Sequence, residues 1–260
     1  MKPIVIVSPH LDDAVLSIGA TMSTWSRRGL EMQLVTLFAG DPGRTTPPSY
    51  WDSKRGSATA SEATMARRIE DAAAARVVGA TPVWGPFDDS AYVAQRDPDV
   101  MWNFLRPHVE AASIVLLPGW PLSHTDHRFA TMLVLERLRG VAVGFYAETP
   151  YASSPISLLK SAVRGRTSSV MRHLLGEEIT WGKVPSARRA YAVKREAERC
   201  YSGELEALGA HLTLSSIHEY VVHNESIGRP CSASLPEELS VDWKISRIAT
   251  HGIKSWSVST

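Results

Sequence analysis

The first 150 residues alternate short apolar runs with stretches of helical periodicity, and that alternation leaves few folds open to the chain. Ile4-Val5-Ile6-Val7 is β-branched with no polar position in between, the pattern of a strand covered on both faces. Gln33–Phe38 reads as a second strand, Thr81–Trp84 as a short one, Ser113–Leu117 as a further buried strand, and Val141–Ala147 as the next. Helix-period segments lie between these runs. Val15, Ile18, Met22 and Trp25 recur three or four apart, with Gly29 as a stop signal. Glu62–Val78 is Ala-rich and closed by Gly79, Pro98–Ala111 is a further helix, and His124–His127 opens another. The alternation predicts an α/β fold with a mostly parallel, doubly wound, Rossmann-like sheet and helices on both faces. Sheets of this kind place their ligands beyond the carboxyl ends of the strands.

With 260 residues, 44% of them hydrophobic and 21% charged, the chain can bury a core without a disulfide or a structural metal. A metal ion would therefore serve chemistry. The balance of 28 basic against 27 acidic residues argues against a phosphate-dominated nucleic-acid binder. Cys200 and Cys231 alone do not make a disulfide framework. Met1-Lys2-Pro3 is followed by only four apolar residues, too few for a secretory signal. No stretch approaches the roughly 18 uncharged apolar residues of a membrane span. The expectation is a cytoplasmic protein, without nucleic-acid partners and compatible with a homo-oligomer.

Beyond residue 150 the character changes. Residues 151–190 hold seven Lys or Arg against Glu177 and Glu178. They read either as a basic insertion at the rim of the site, which would favour an anionic substrate group, or equally well as a solvated basic surface. A helix is expected over Ala190–Leu208 and a late strand or short helix over Leu212–Val222. One domain is therefore expected over 1–222, with 223–260 as a C-terminal extension. The Gly-, Pro-, Ser- and Thr-rich stretch 40–60 reads as a long loop carrying Tyr50-Trp51.

Two short clusters carry the chemistry. His10-Leu11-Asp12-Asp13 follows the first strand directly, and His124-Thr125-Asp126-His127 follows a later central one. Both fall at the carboxyl edge of one sheet. His10 with Asp13, and His124 with His127, have a spacing that lets each pair converge at a turn entering a helix. Two imidazoles and a carboxylate around an open position suit Zn²⁺ in a hydrolytic site, with Asp12 left beside the metal as a candidate general base. Taken alone, His10–Asp13 reads equally well as a helix N-cap with favourable carboxylates. The two clusters together, each after a buried strand, favour the metal reading. The remaining histidines, among them His108, His173, His211, His218, His223 and His251, lack ligand spacing. Cys200 reads as a packed free thiol. No G-x-S-x-G, G-x-G-x-x-G or P-loop pattern is present.

Ser8-Pro9-His10-Leu11-Asp12-Asp13 resembles the A-H-P-D-D-E signature of the LmbE-like, or PIG-L, zinc-dependent N-deacetylases, and His124–His127 resembles that family's H-P-D-H. The resemblance continues through Arg67–Glu70, Ala73–Gly79, Asp89-Ser90, Tyr146–Pro150 and Lys194…Tyr201-Ser202, covering about residues 2–222. Leu11 stands where the pattern has Pro, and Ala14 where it has Glu; neither is a metal ligand there. The resemblance implies Zn²⁺ on His10, Asp13 and His127, Asp12 as general base, and His124 polarising the amide carbonyl, oriented by Asp126. It implies Arg67 and Asp89 as substrate-binding residues. Their structural alternatives are an intrahelical ion pair of Arg67 with Glu70 and a helix-capping Asp89. The implied activity is hydrolysis of an N-acyl group, typically acetyl, on an amino sugar or related small molecule. An amidase for larger conjugates, or a metal-containing binding protein without turnover, are the other readings of the same residues.

Overall fold

The computed structural model describes residues 2–93, 95–120, 122–151, 182–183, 188–203 and 220–224. Of the expected basic insertion only residues 151, 182–183 and 188–190 are among these; the rest lies outside the described residues, as do His173, His211, His218, Cys231 and most of the expected C-terminal extension.

Five strands form a parallel sheet: β1 (Ile4–Ser8), β2 (Met32–Thr36), β3 (Thr81–Trp84), β4 (Ile114–Trp120) and β5 (Ala142–Ala147). Their order is β3-β2-β1-β4-β5. Beyond β5 the sheet gains β7 (Tyr220–Asn224) and then the short β6 (Gly182–Lys183), with antiparallel pairing of β7 to both neighbours. β7 runs through residue 222, where the sequence reading ended its domain.

The unbroken apolar runs have a direct explanation. Ile4 and Ile6 enter one core cluster while Val5 and Val7 enter the other, on the opposite face of the sheet. Ile114 and Leu116 divide from Val115 and Leu117 in the same way. One core takes residues from α1 (Asp13–Arg27), α3 (Ala60–Val78) and α6 (Arg188–Cys200). The other takes them from α4 (Pro98–Ala111) and α5 (Thr125–Arg137). The fold is therefore α/β with helices on both faces of the sheet.

Stretch 40–60 differs from its loop reading. Ser49 caps a five-residue helix, α2 (Tyr50–Lys54), by accepting the Asp52 N–H at 3.1 Å. Gly79 ends α3 with φ of 78°, and a Cβ there would lie 1.9 Å from Ser26 Oγ, so both backbone conformation and packing demand glycine. α1 departs from helical geometry at Ile18, and there the Ser17 carbonyl accepts a hydrogen bond from the buried Lys194 ammonium of α6 at 3.4 Å. Among the described residues no helix is long and apolar enough to cross a membrane.

Candidate metal centre

β1 and β4 are neighbours at the point where the strand order reverses, the usual place for a ligand in such a sheet. The chain leaves β1 at Ser8 and enters α1 at Asp13 through a tight turn. Asp12 sits in that turn with φ of 151°, a conformation costing a non-glycine residue about 1–3 kcal/mol. It occupies the N-cap position of α1, yet its side chain makes no capping bond. Ser8 Oγ takes that work, accepting the Ala14 N–H at 3.2 Å. The capping reading of Asp12 therefore fails, and its side chain lines a cavity of about 380 Å³ together with His10, Asp13 and His124.

Three atoms converge beneath that cavity. Nδ1 of His10 lies 3.2 Å from Oδ2 of Asp13, Nε2 of His127 lies 3.2 Å from the same oxygen, and the two nitrogens are 3.3 Å apart. Each imidazole has a carboxylate at its other nitrogen. Nε2 of His10 is 3.1 Å from Oδ2 of Asp126, and Nδ1 of His127 is hydrogen-bonded to Glu148. Asp126, His127 and Glu148 are all at most 1% exposed. Paired carboxylates behind imidazoles are the arrangement that fixes histidine tautomers around metals.

The electrostatics follow from this packing. Burial works against charge on His10, but the Asp126 and Asp13 carboxylates outweigh it and raise its pKa to about 9. His127 behaves likewise: burial is overcome by Asp13 and Glu148, and its pKa rises to about 11. Burial opposes ionisation of Asp13, yet the neighbouring His127 and His10 hold it well below the usual carboxylate range. The site thus concentrates anionic oxygens around a point that a cation would occupy.

His124 is different. As the N-cap of α5 it accepts the backbone N–H of Asp126 at Nδ1, 3.2 Å away. A neutral ring accepting at Nδ1 carries its proton on Nε2, where it is a donor. Burial, and then the neighbouring His10 and His127, push its pKa down, which keeps the ring neutral. The family resemblance implies that Asp126 orients His124. The contact exists through the Asp126 backbone, whereas the Asp126 carboxylate turns to His10 and Arg96. His10, His124 and His127 together form a group that could hold a metal ion, with one ligand atom from each within 4.8 Å of the others.

Arg67 and Asp89 both line the cavity. Arg67 Nη2 lies 2.5 Å from Oδ1 of the buried Asp52, and Glu70 pairs with Arg55. Asp89 caps a turn rather than a helix, its side chain accepting the Ala91 N–H at 2.6 Å. Asp52 also accepts from Ser49 Oγ at 2.7 Å and from the Tyr92 hydroxyl, so three cavity-wall segments meet on one carboxylate.

Asp52, Arg96 and Glu148 escaped the reading of the sequence as site residues. Glu148 had a signal, a carboxylate placed directly after a buried strand at the carboxyl edge of the sheet. Asp52 and Arg96 lie in segments without periodicity, and nothing local announces them.

The PIG-L family, described as GlcNAc-PI de-N-acetylase, matches residues 5–138. No protein of curated function matches the sequence. The structure is similar to that of the A40926 pseudoaglycone deacetylase, with a TM-score of 0.67 and 23% identity over 85% of this chain and 96% of that one. It is also similar to the zinc-inhibited form of teicoplanin deacetylase, with a TM-score of 0.64 and 20% identity over 86% of this chain and 99% of that one. A teicoplanin-bound deacetylase of that pathway gives 0.62 and 20%, over 85% and 97%. At these identities the structural likeness establishes the fold.

Proposed function

Because the chain belongs to the PIG-L family of de-N-acetylases, we propose that it is a zinc-dependent hydrolase removing an N-acyl group, acetyl in the first instance, from an amino sugar or related small molecule. The single observation that carries this reading is the triangle of His10 Nδ1, Asp13 Oδ2 and His127 Nε2, with edges of 3.2, 3.2 and 3.3 Å. Ligands at 2.0–2.1 Å in a tetrahedral zinc site are separated by about 3.3–3.4 Å, so the donor set fits the ion with one position left open. His124 is the weaker third ligand, because its Nδ1 is engaged by a backbone amide and its Nε2 bears the proton.

When bound, Zn²⁺ supplies Lewis-acid polarisation and makes water a competent nucleophile near neutral pH. Asp12, whose side chain makes no capping bond, takes the proton of the attacking water and returns it to the leaving amine. His124 donates from Nε2 to the acyl oxygen as negative charge develops on it. Arg67, fixed by Asp52, and Asp89 hold the substrate's polar groups. The domain responsible extends over about residues 1–222.

An amidase acting on a larger conjugate is the alternative reading of the same site, and an exposed aromatic beside the cavity supports it. Tyr50 is 77% exposed beside Trp51, which lines the cavity. The test is acetate release from a panel containing free N-acetylglucosamine and N-acetylglucosaminides of bulky aglycones, with and without chelator. Chelator-sensitive release supports the proposal, and the preferred arm identifies the substrate size. Release unaffected by chelation, from protein without divalent metal, overturns it.

A further inference from the structure

Arg96 belongs to none of the motifs, yet it contacts a carboxylate and two aromatic rings beside the candidate metal centre. Its guanidinium forks onto Asp126, Nη1 to Oδ1 at 2.8 Å and Nη2 to Oδ2 at 3.1 Å. The same group lies 3.9 Å over the Phe38 ring and 5.7 Å from that of Phe129, with its side chain 13% exposed. Asp126 Oδ2 accepts at the same time from Nε2 of His10 and from the Ser90 N–H, each at 3.1 Å. One carboxylate oxygen is thereby shared between a candidate ligand, the loop carrying Asp89, and Arg96.

We propose that Arg96 is a positioning residue for the metal centre, acting through Asp126. Resting on the zinc reading above, this assigns it a defined task. The bidentate fork fixes the rotation of the Asp126 carboxylate, so that Oδ2 faces His10. With Nε2–H committed to that oxygen, the His10 ring turns its Nδ1 toward the point between Asp13 Oδ2 and His127 Nε2 where a cation would sit. The aromatic faces of Phe38 and Phe129 keep the guanidinium plane in place, which suits arginine and not lysine. Through Ser90 the same carboxylate ties the Asp89 loop to the metal side of the cavity.

The experiment is a double-mutant cycle read by zinc affinity, with the dissociation constant measured by competition against a chromophoric chelator. The proteins are the wild type, Arg96→Gln, Asp126→Asn and the double variant, with cooperative unfolding as the check on folding. Arg96→Gln should weaken zinc binding by about 10–100-fold, the usual worth of a group behind a ligand. Arg96→Lys should restore only part of that. In the Asp126→Asn background the further loss should shrink to about twofold or less, because the route through Asp126 is already gone. If Arg96→Gln does not fold, Arg96→Lys carries the same cycle. Equal losses in both backgrounds would assign Arg96 to packing on Phe38 and Phe129 and overturn the inference. So would unchanged zinc affinity in a variant of a zinc-binding wild type. A wild type that binds no zinc would overturn the metal reading and this inference together.

Discussion

Glu148, at the carboxyl end of β5, accepts the Nδ1–H of His127 through one oxygen and the Leu122 N–H, at 2.6 Å, through the other. The carboxylate thus fixes the tautomer of a buried imidazole and the loop that leads into it. Nε2 of His127 is left facing Asp13. Glu148→Gln keeps the shape but replaces an anionic acceptor by a neutral amide, with one end a donor facing a donor. Zinc affinity should fall by about 10–100-fold, measured by metal competition. An unchanged affinity would mean that His127 needs no support.

The adjacent carboxylates Asp12 and Asp13 should separate cleanly. Asp13→Asn removes an anionic corner of the triangle, so zinc and activity should be lost together. Asp12→Asn should retain zinc while kcat falls by roughly 10²–10⁴-fold, the range of general acid–base catalysis. Zinc stoichiometry beside kcat decides it, and the reverse pattern would exchange the two roles.

Zinc binding should release protons. In the metal-free protein His10 holds its proton up to about pH 9 and His127 up to about pH 11, because nearby carboxylates outweigh burial. A metal ligand must be deprotonated. Apparent affinity should therefore rise with pH between about 6 and 9, with proton release visible in calorimetry as a dependence on buffer ionisation enthalpy. Flat affinity across that range would place the metal elsewhere.

A last prediction lies away from the site. Buried Asp71 accepts from the Trp84 indole at 2.8 Å and the Tyr201 hydroxyl at 2.9 Å, and burial nevertheless raises its pKa to about 6. A raised carboxyl favours folding fully below about pH 4 and loses that contribution as pH rises through 6. Tyr201→Phe removes one donor, costing about 1–3 kcal/mol when the carboxylate is charged. Denaturant unfolding should show a larger loss at pH 8 than at pH 4.5; equal losses would mean that Asp71 stays neutral.

What the sequence determined by itself is local and periodic. Ile4–Val7 and Ser113–Leu117 announce strands covered on both faces, because neither leaves a polar face to meet water. Such strands imply a sheet whose carboxyl edge collects His10–Asp13 and His124–His127. α4 was legible to its bounds because Asp97 caps it and Pro98 opens it. Tertiary structure decided the partners. His10 and Asp126 are 116 residues apart, and only the neighbouring of β1 and β4 brings them within hydrogen-bond reach. Asp126 gives its carboxylate to His10 and only its backbone N–H to His124, because the N-cap geometry of α5 turns the His124 ring onto that amide. Arg67 meets Asp52, fifteen residues earlier on α2, because folding brings that buried carboxylate against α3, a pairing that no helical spacing announces. Arg96 and Glu148 make their contacts only after folding, since each is specified by a partner that no window of the sequence contains.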